Sequence, residues 1–306
     1  MTDQRPPTID ALAARRWEAL PLAAGPAPGA PPTSPWLHEE VARRMEQRLQ
    51  WMVKKPVSWL HWQVLRGGIE AHALLRRRYP AAASFVHEDS PHALALARAA
   101  LRPAWWSAER WQNPTRFEVP PQAVDLLWAN MALHMSADPQ ALIQRWHRLV
   151  QTDGFLMFSC LGPDTLRQLR DLYARRGWPA PAHEFTDMHD WGDMLVQAGF
   201  AEPVMDMERI DLSFSSPATL LAELRGLGRN LHPQRFPGLR GRAWRAALDQ
   251  GIVAAASDSD QPGRLRLSFE IIYGHAFKPA PRMAVRPQTL IPLEQMRDSV
   301  RARKSA

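Results

Sequence analysis

The sequence predicts an α/β protein built on a largely parallel sheet. Its central part alternates short apolar runs with stretches of helical periodicity, the pattern that βαβ units leave in a sequence. With 306 residues, 45% of them hydrophobic and 23% charged, the chain can bury one large core. The single cysteine, Cys160, excludes a fold stapled by internal disulfides, and no run approaches the roughly 20 apolar residues of a membrane-spanning helix. The opening MTDQRPPTID lacks the basic-then-apolar order of a secretion signal. A cytoplasmic protein is expected.

The elements follow in order. Residues 1–35 read as a flexible segment, since six of the fifteen residues from 21 to 35 are proline and two are glycine. Ser34 and Pro35 then start a helix in which Val41, Met45, Leu49 and Met52 share a face. VDLLW at 124–128 is a buried strand, and Asp138-Pro139 caps a helix with Leu142, Trp146 and Leu149 on one side. After the turn at Asp153-Gly154, FLMFSC at 155–160 is the next strand, and Gly162-Pro163-Asp164 opens a helix through Leu166, Leu169 and Leu172. DMHDWGDMLVQAG is a helix stopped by Gly199. Two extended segments, 204–214 and 264–277, enclose helical patterns at 217–228 and 239–255. One domain over 36–278 is expected, with a helical insertion at about 215–256 and a basic tail at 279–306.

The net charge of +7 is concentrated. Residues 222–246 hold six arginines against Glu223, and residues 278–306 hold seven cations against Glu294 and Asp298. Such patches attract polyanions, and a solvated arginine face is the plain alternative.

Four blocks then resemble a known family: VDLLWANMALHM, DGFLMFSCLGPDTLRQLR, FTDMHDWGDMLVQAGFAEPVMDME and FEIIYGHAF. In order and spacing they are similar to the malonyl-[acyl carrier protein] O-methyltransferases of biotin synthesis, the BioC family. The resemblance covers about residues 124–277 and implies a class I methyltransferase (Rossmann-like) fold. That fold is a seven-stranded, mostly parallel sheet with helices on both faces and one antiparallel strand at the edge. It also implies S-adenosylmethionine as cofactor and the free carboxylate of a carrier-bound malonyl group as methyl acceptor.

The cofactor half departs from the family. Where members carry a turn of the type L-D-L-G-C-G-T-G, this chain has Leu60-His61-Trp62-Gln63-Val64-Leu65-Arg66-Gly67, followed by Gly68. A side chain at the lost glycines brings a Cβ toward the cofactor or forces a disfavoured backbone angle. Gly67 and Gly68 remain as cofactor-binding candidates, with a plain turn as the alternative. The acid expected to hold the ribose at the end of the second strand is matched by Glu88, with Ser90 and Pro91 opening the next helix. The acidic adenine contact is missing, and Trp105, Trp106 or Trp111 stand in that stretch as stacking or packing residues.

Methylating a carboxylate needs no general base, so the acceptor side calls for positioning groups: Asn130, His134, Tyr273 and His275. Asn130, at the carboxyl end of a strand, is also a candidate for the cofactor. Each has a structural alternative as a loop cap or a hydrogen-bonded core residue. Asp187, His189, Asp190 and Asp193 read as helix-capping and first-turn acids and not as a metal site, and Cys160 as an inert core thiol. Arg225, Arg229, Arg240, Arg242 and Arg245 suit an acidic acyl carrier protein, with nucleic acid ranked lower because few aromatics interleave them. A non-catalytic relative that binds the carrier or a partner enzyme is the alternative function.

Overall fold

The apolar runs read from the sequence assemble into one mostly parallel sheet. The structure is a computed structural model and describes residues 9–20, 32–102 and 114–281. Six strands are present among these residues: β1 (Ser58–Trp62), β2 (Ala83–His87), β3 (Val124–Ala129), β4 (Val150–Leu161), β5 (Ala201–Phe214) and β6 (Leu265–Phe277). Their order is β2-β1-β3-β4-β6-β5. The first four are mutually parallel, and β6 runs antiparallel to both β4 and β5. The reversed strand therefore lies one place in from the edge, with β5 outside it, which corrects the expectation of a reversed strand at the edge itself. On the far side, Arg116 forms one parallel bridge to Phe85 of β2, and residues 103–113, with the three tryptophans singled out above, lie outside the described residues.

Alternation along the strands sorts the core into two layers. Trp59, Leu126, Trp128, Phe155 and Met157 pack with Leu37, Val41 and Met45 of α2 (Trp36–Arg48). Leu60, Leu127, Leu156 and Phe158 pack with Ile143 and Trp146 of α6 (Pro139–Leu149) and with Trp191 and Leu195 of α8 (Met188–Gln197). Between these lie α3 (Val64–Gly67), α4 (Ile69–Arg78), α5 (Pro91–Ala100) and α7 (Arg167–Arg175), and the late insertion supplies α9 (Pro217–Leu227) and α10 (Arg242–Ala256). Caps act where the sequence placed them: Asp138 accepts from Ala141 N at 2.9 Å, Ser90 from Ala93 N at 3.1 Å and Asp187 from His189 N at 2.7 Å. Ser34 is an exception. It does not cap α2 but ties two later turns, donating to Leu65 O and accepting from Ile69 N, both at 2.9 Å.

Residues 9–20, within the segment expected to be flexible, hold a helix. α1 (Ala11–Glu18) is capped by Asp10 and buries Ala13, Ala14 and Trp17 against Leu231 and Met135. Asp10 also pairs with Arg235 at 2.7 Å. Residues 21–31 and the tail from 282 onward lie outside the described residues.

β6 lies close against its neighbours at Gly274, where an added Cβ would strike the Phe158 ring and approach Met205 Sδ to 2.8 Å. Gly274→Ala is accordingly expected to destabilise the fold by about 1–3 kcal/mol, as overpacking does, and a urea titration checks it. An unchanged midpoint would show that the sheet can yield there.

Candidate functional site

Parallel strands direct their carboxyl ends to one edge, and open α/β sheets bind ligands in the crevice outside that edge. Here β1 runs through Trp62 into Gln63, whose φ of 53° is left-handed. Gln63 N donates to His87 O at the end of β2, and Gly67 N donates back to Gln63 O, both at 2.7 Å. The tight turn has therefore formed without its glycine, holding an L-residue where the backbone costs roughly 1–2 kcal/mol. The Gln63 amide in turn donates to the Asp89 carboxylate.

A cavity of about 760 Å³ opens above this turn, within the range of about 300–1,000 Å³ typical of small-molecule sites. Its walls come from the ends of three adjacent parallel strands: Trp62, Gln63 and Leu65 after β1, Glu88 and Asp89 after β2, and Met131, Ala132 and Met135 after β3. Glu88 Oε1 accepts from Leu65 N at 2.9 Å. Burial, reinforced by the Asp89 charge, raises its pKa to about 7, against the opposing pull of the Leu65 amide and Arg66. The residues fit the cofactor that the sequence implies. There is room for it, and a carboxylate stands at the strand end with Oε2 free of hydrogen bonds among the described residues.

The roof is α1, whose Trp17 and Glu18 line the cavity. Arg66 Nη2 donates to Trp17 O and Leu20 O at 3.1 and 3.2 Å, with its guanidinium 4.0 Å from the Trp17 ring centroid. Arg229, just after α9, approaches the same ring at 5.4 Å. Trp17, Arg66 and His38, all in the walls, were missed by sequence reasoning. The signal for α1 was present, an aspartate cap before ALAARRWEAL, but the surrounding prolines masked it.

The sequence-predicted residues divide. Glu88 lines the cavity; Asn130, His134, Gly67 and Gly68 stand behind its wall. Asn130 is buried, and both its amide donors are engaged: Nδ2 donates to His38 O and Gly67 O, and Oδ1 accepts from Ser159 Oγ at 2.6 Å. It locks α2, the β1 turn and β4 together and so positions Met131 and Ala132. His134 Nδ1 accepts from Leu161 N at 3.3 Å, and burial holds the ring neutral. A Cβ on Gly67 would come within 3.1 Å of Asn130 O, so that glycine serves close packing, and Gly68 has a φ of 122°.

Tyr273 and His275 require correction. Because β6 is reversed, its later residues run away from the ligand edge: Ile271 pairs with Leu161, Tyr273 with Ser159 and His275 with Met157. Tyr273 instead donates to Glu208, under the Arg48 guanidinium at 3.7 Å. Neither residue lines the cavity.

The five arginines lie on α9, on α10 and on the segment between them, in unequal states. Arg245 pairs with Asp249 at 2.9 Å, and Arg240 lies 4.2 Å from the ring centroids of Phe236 and of Trp244. Arg225 and Arg242 are exposed, with no ion pair among the described residues. Leu239, at the tip of the loop between α9 and α10, is fully exposed. No group of three or more His, Cys, Asp or Glu suited to a metal occurs among the described residues. Cys160 is buried, and its thiol pKa is pushed up by that burial.

A mostly parallel sheet with its reversed strand next to the edge, and a cavity walled by the ends of β1, β2 and β3, define a methyltransferase-type domain. A sequence profile described as "Methyltransferase domain" matches residues 66–158. A putative methyltransferase from Bacillus halodurans shares the fold, with a TM-score of 0.52 at 15% identity over 79% of this chain and 100% of that one. The chain belongs to the malonyl-[acyl-carrier protein] O-methyltransferase family. It is 36% identical to the member from Laribacter hongkongensis over 260 residues, 80% of this chain and 84% of that protein. It is also 36% identical to the Gallionella capsiferriformans member, over 81% of this chain and 86% of the other.

Proposed function

We propose that this chain transfers a methyl group from S-adenosylmethionine to the free carboxylate of a malonyl thioester on an acyl carrier protein, in biotin synthesis. One observation carries the reading: the cavity at the carboxyl ends of β1, β2 and β3 with Glu88 in its wall. The family relatives bear the name of that activity, and nothing in them supports a non-catalytic carrier-binding protein. The cofactor, when bound, supplies a methyl group on an already activated sulfonium. Glu88 would accept both ribose hydroxyls, and Met131, Ala132 and Met135 would form the dry wall where the acceptor arrives. Charge is lost as the acceptor anion meets the cationic donor, so excluding water serves the reaction better than a base would. Asn130 acts at one remove, holding the loop that presents this wall. The finer fold reading is a seven-stranded class I sheet with helices on both faces, its seventh strand near 116. The Phe85–Arg116 bridge and the two packing layers support it.

The exposed arginines would meet the carrier. Incubating the protein with labelled S-adenosylmethionine and malonyl-acyl carrier protein should label the carrier. Reversing both Arg225 and Arg242 to Glu should raise KM for the carrier about tenfold or more and leave S-adenosylhomocysteine binding intact. The effect should fade with salt, since the Debye length shrinks to about 8 Å at physiological ionic strength. Carrier kinetics indifferent to both salt and charge reversal would reduce these arginines to a solvated helix face. Tighter binding to nucleic acid than to the carrier would replace the partner.

A further inference from the structure

The turn after β1 keeps its backbone amides to itself. Five of the six from Gln63 to Gly68 are spent internally: Gln63 N on His87 O, Arg66 N and Gly67 N on Gln63 O, Gly68 N on Val64 O, and Leu65 N on Glu88. The sixth, Val64 N, belongs to a fully buried residue that does not line the cavity, so a negatively charged group there finds no free N–H on the residues of the turn that form its walls. It does find Arg66. This is the one half-buried arginine in the walls; Arg15 and Arg145 are exposed, and Arg145 is engaged with His87 Nε2 at 3.2 Å and with the Trp62 ring. Arg66 hydrogen-bonds only to two carbonyls, both through Nη2, and has no carboxylate within 4 Å among the described residues. Its backbone is fixed by His38, whose Nδ1 donates to Arg66 O at 2.7 Å. A guanidinium presents five donors, so Arg66 has unused donors facing a cavity that already holds a ribose anchor one residue from it.

We propose that Arg66 is the carboxylate receptor of the cofactor site, taking the amino-acid carboxylate of S-adenosylmethionine or S-adenosylhomocysteine in place of the backbone amides of a glycine-rich turn. The proposal rests on the cofactor reading above. The side chain thus both roofs the cavity, through Trp17 and Leu20, and selects for the amino-acid end of the molecule that enters.

Two probes separate these roles. S-Adenosylhomocysteine carries the carboxylate, whereas 5′-methylthioadenosine keeps the adenine and ribose and lacks it. Calorimetric titration of the full chain should show S-adenosylhomocysteine bound at least tenfold more tightly than 5′-methylthioadenosine. Arg66→Gln should weaken the first by about 10–100-fold, the worth of a charge-assisted hydrogen bond, and the second by less than threefold. Arg66→Lys should fall between, because it keeps the charge and loses the planar fork. Parallel weakening of both compounds would overturn the proposal and leave Arg66 as a strap for α1, and an unchanged ratio would also overturn it. If the unsubstituted protein bound neither compound, the cofactor reading itself would fall with the inference.

Discussion

Glu88→Gln is expected to weaken S-adenosylhomocysteine binding at pH 8 by roughly 10–100-fold, and to abolish most of its pH dependence. The amide can still accept from Leu65 N, so the turn survives, but it lacks the charge that makes each ribose hydroxyl bond worth about 1.5–3 kcal/mol. In the unsubstituted protein the pKa of this carboxyl is raised from 4.5 to about 7, chiefly by burial. Hydroxyls donating to the ionised form would draw that value down, so binding releases a proton where the free protein still holds one. Affinity should therefore rise between pH 6 and 8 in the parent and stay nearly flat in the variant. The same shift has a stability sign. The folded protein binds more protons at Glu88 than the unfolded chain between pH 4.5 and about 7, so its contribution to stability worsens as pH rises through that window and is constant above it. Cofactor binding should recover the loss. Equal affinities in the two proteins at pH 8, or a flat profile in the parent, would remove Glu88 from the ribose site.

What could be read in advance, and what could not, follows from strand direction and chain separation. The runs VDLLW and FLMFSC, the caps at Ser90, Asp138 and Asp187, and the stop at Gly199 are local signals, and each matches the element observed. The place of Glu88 in the cavity wall was legible because the end of a parallel strand is itself a position in the sequence. Tyr273 and His275 were misplaced because their strand belongs to the same sheet with the opposite sense, which no local pattern reveals. Trp17 and Arg66 are 49 residues apart and meet only when α1 folds back over the β1 turn. Asn130 carries the same lesson in reverse. A loop asparagine at a ligand edge invites a binding role, but its three partners come from residues 38, 67 and 159, and they take both of its amide donors.

The departure with the largest consequence for stability is His61, which stands where the family carries an acid. It is wholly buried in β1, neither ring nitrogen has a hydrogen-bond partner among the described residues, and it stacks on His72 with centroids 5.6 Å apart. Burial lowers its pKa to about 3, lowers that of His38 to about 4, and pushes His72 well below its ordinary value. These rings are neutral in the fold and protonate near 6.5 once unfolded, so the unfolded chain gains protons first as pH falls. Stability is then lost from about pH 6.5 downward, at up to about 1.4 kcal/mol per pH unit for each ring, until the folded pKa is reached. Glu88, Glu39 and Glu18, whose carboxyl pKa values burial raises, work in the opposite direction, and His134, His147, His183 and His275 join the three rings because burial lowers their pKa as well. His61→Leu removes two buried polar atoms without partners and one of these titrating rings. It should raise stability at pH 7 by about 1–3 kcal/mol and reduce the loss between pH 6.5 and 5 by about 2 kcal/mol. Urea midpoints at pH 7, 6 and 5 measure both effects. A variant that lost stability at pH 7 and kept the parent's acid slope would mean that His61 has partners when folded, and that this erosion of the family turn was compensated and not merely tolerated.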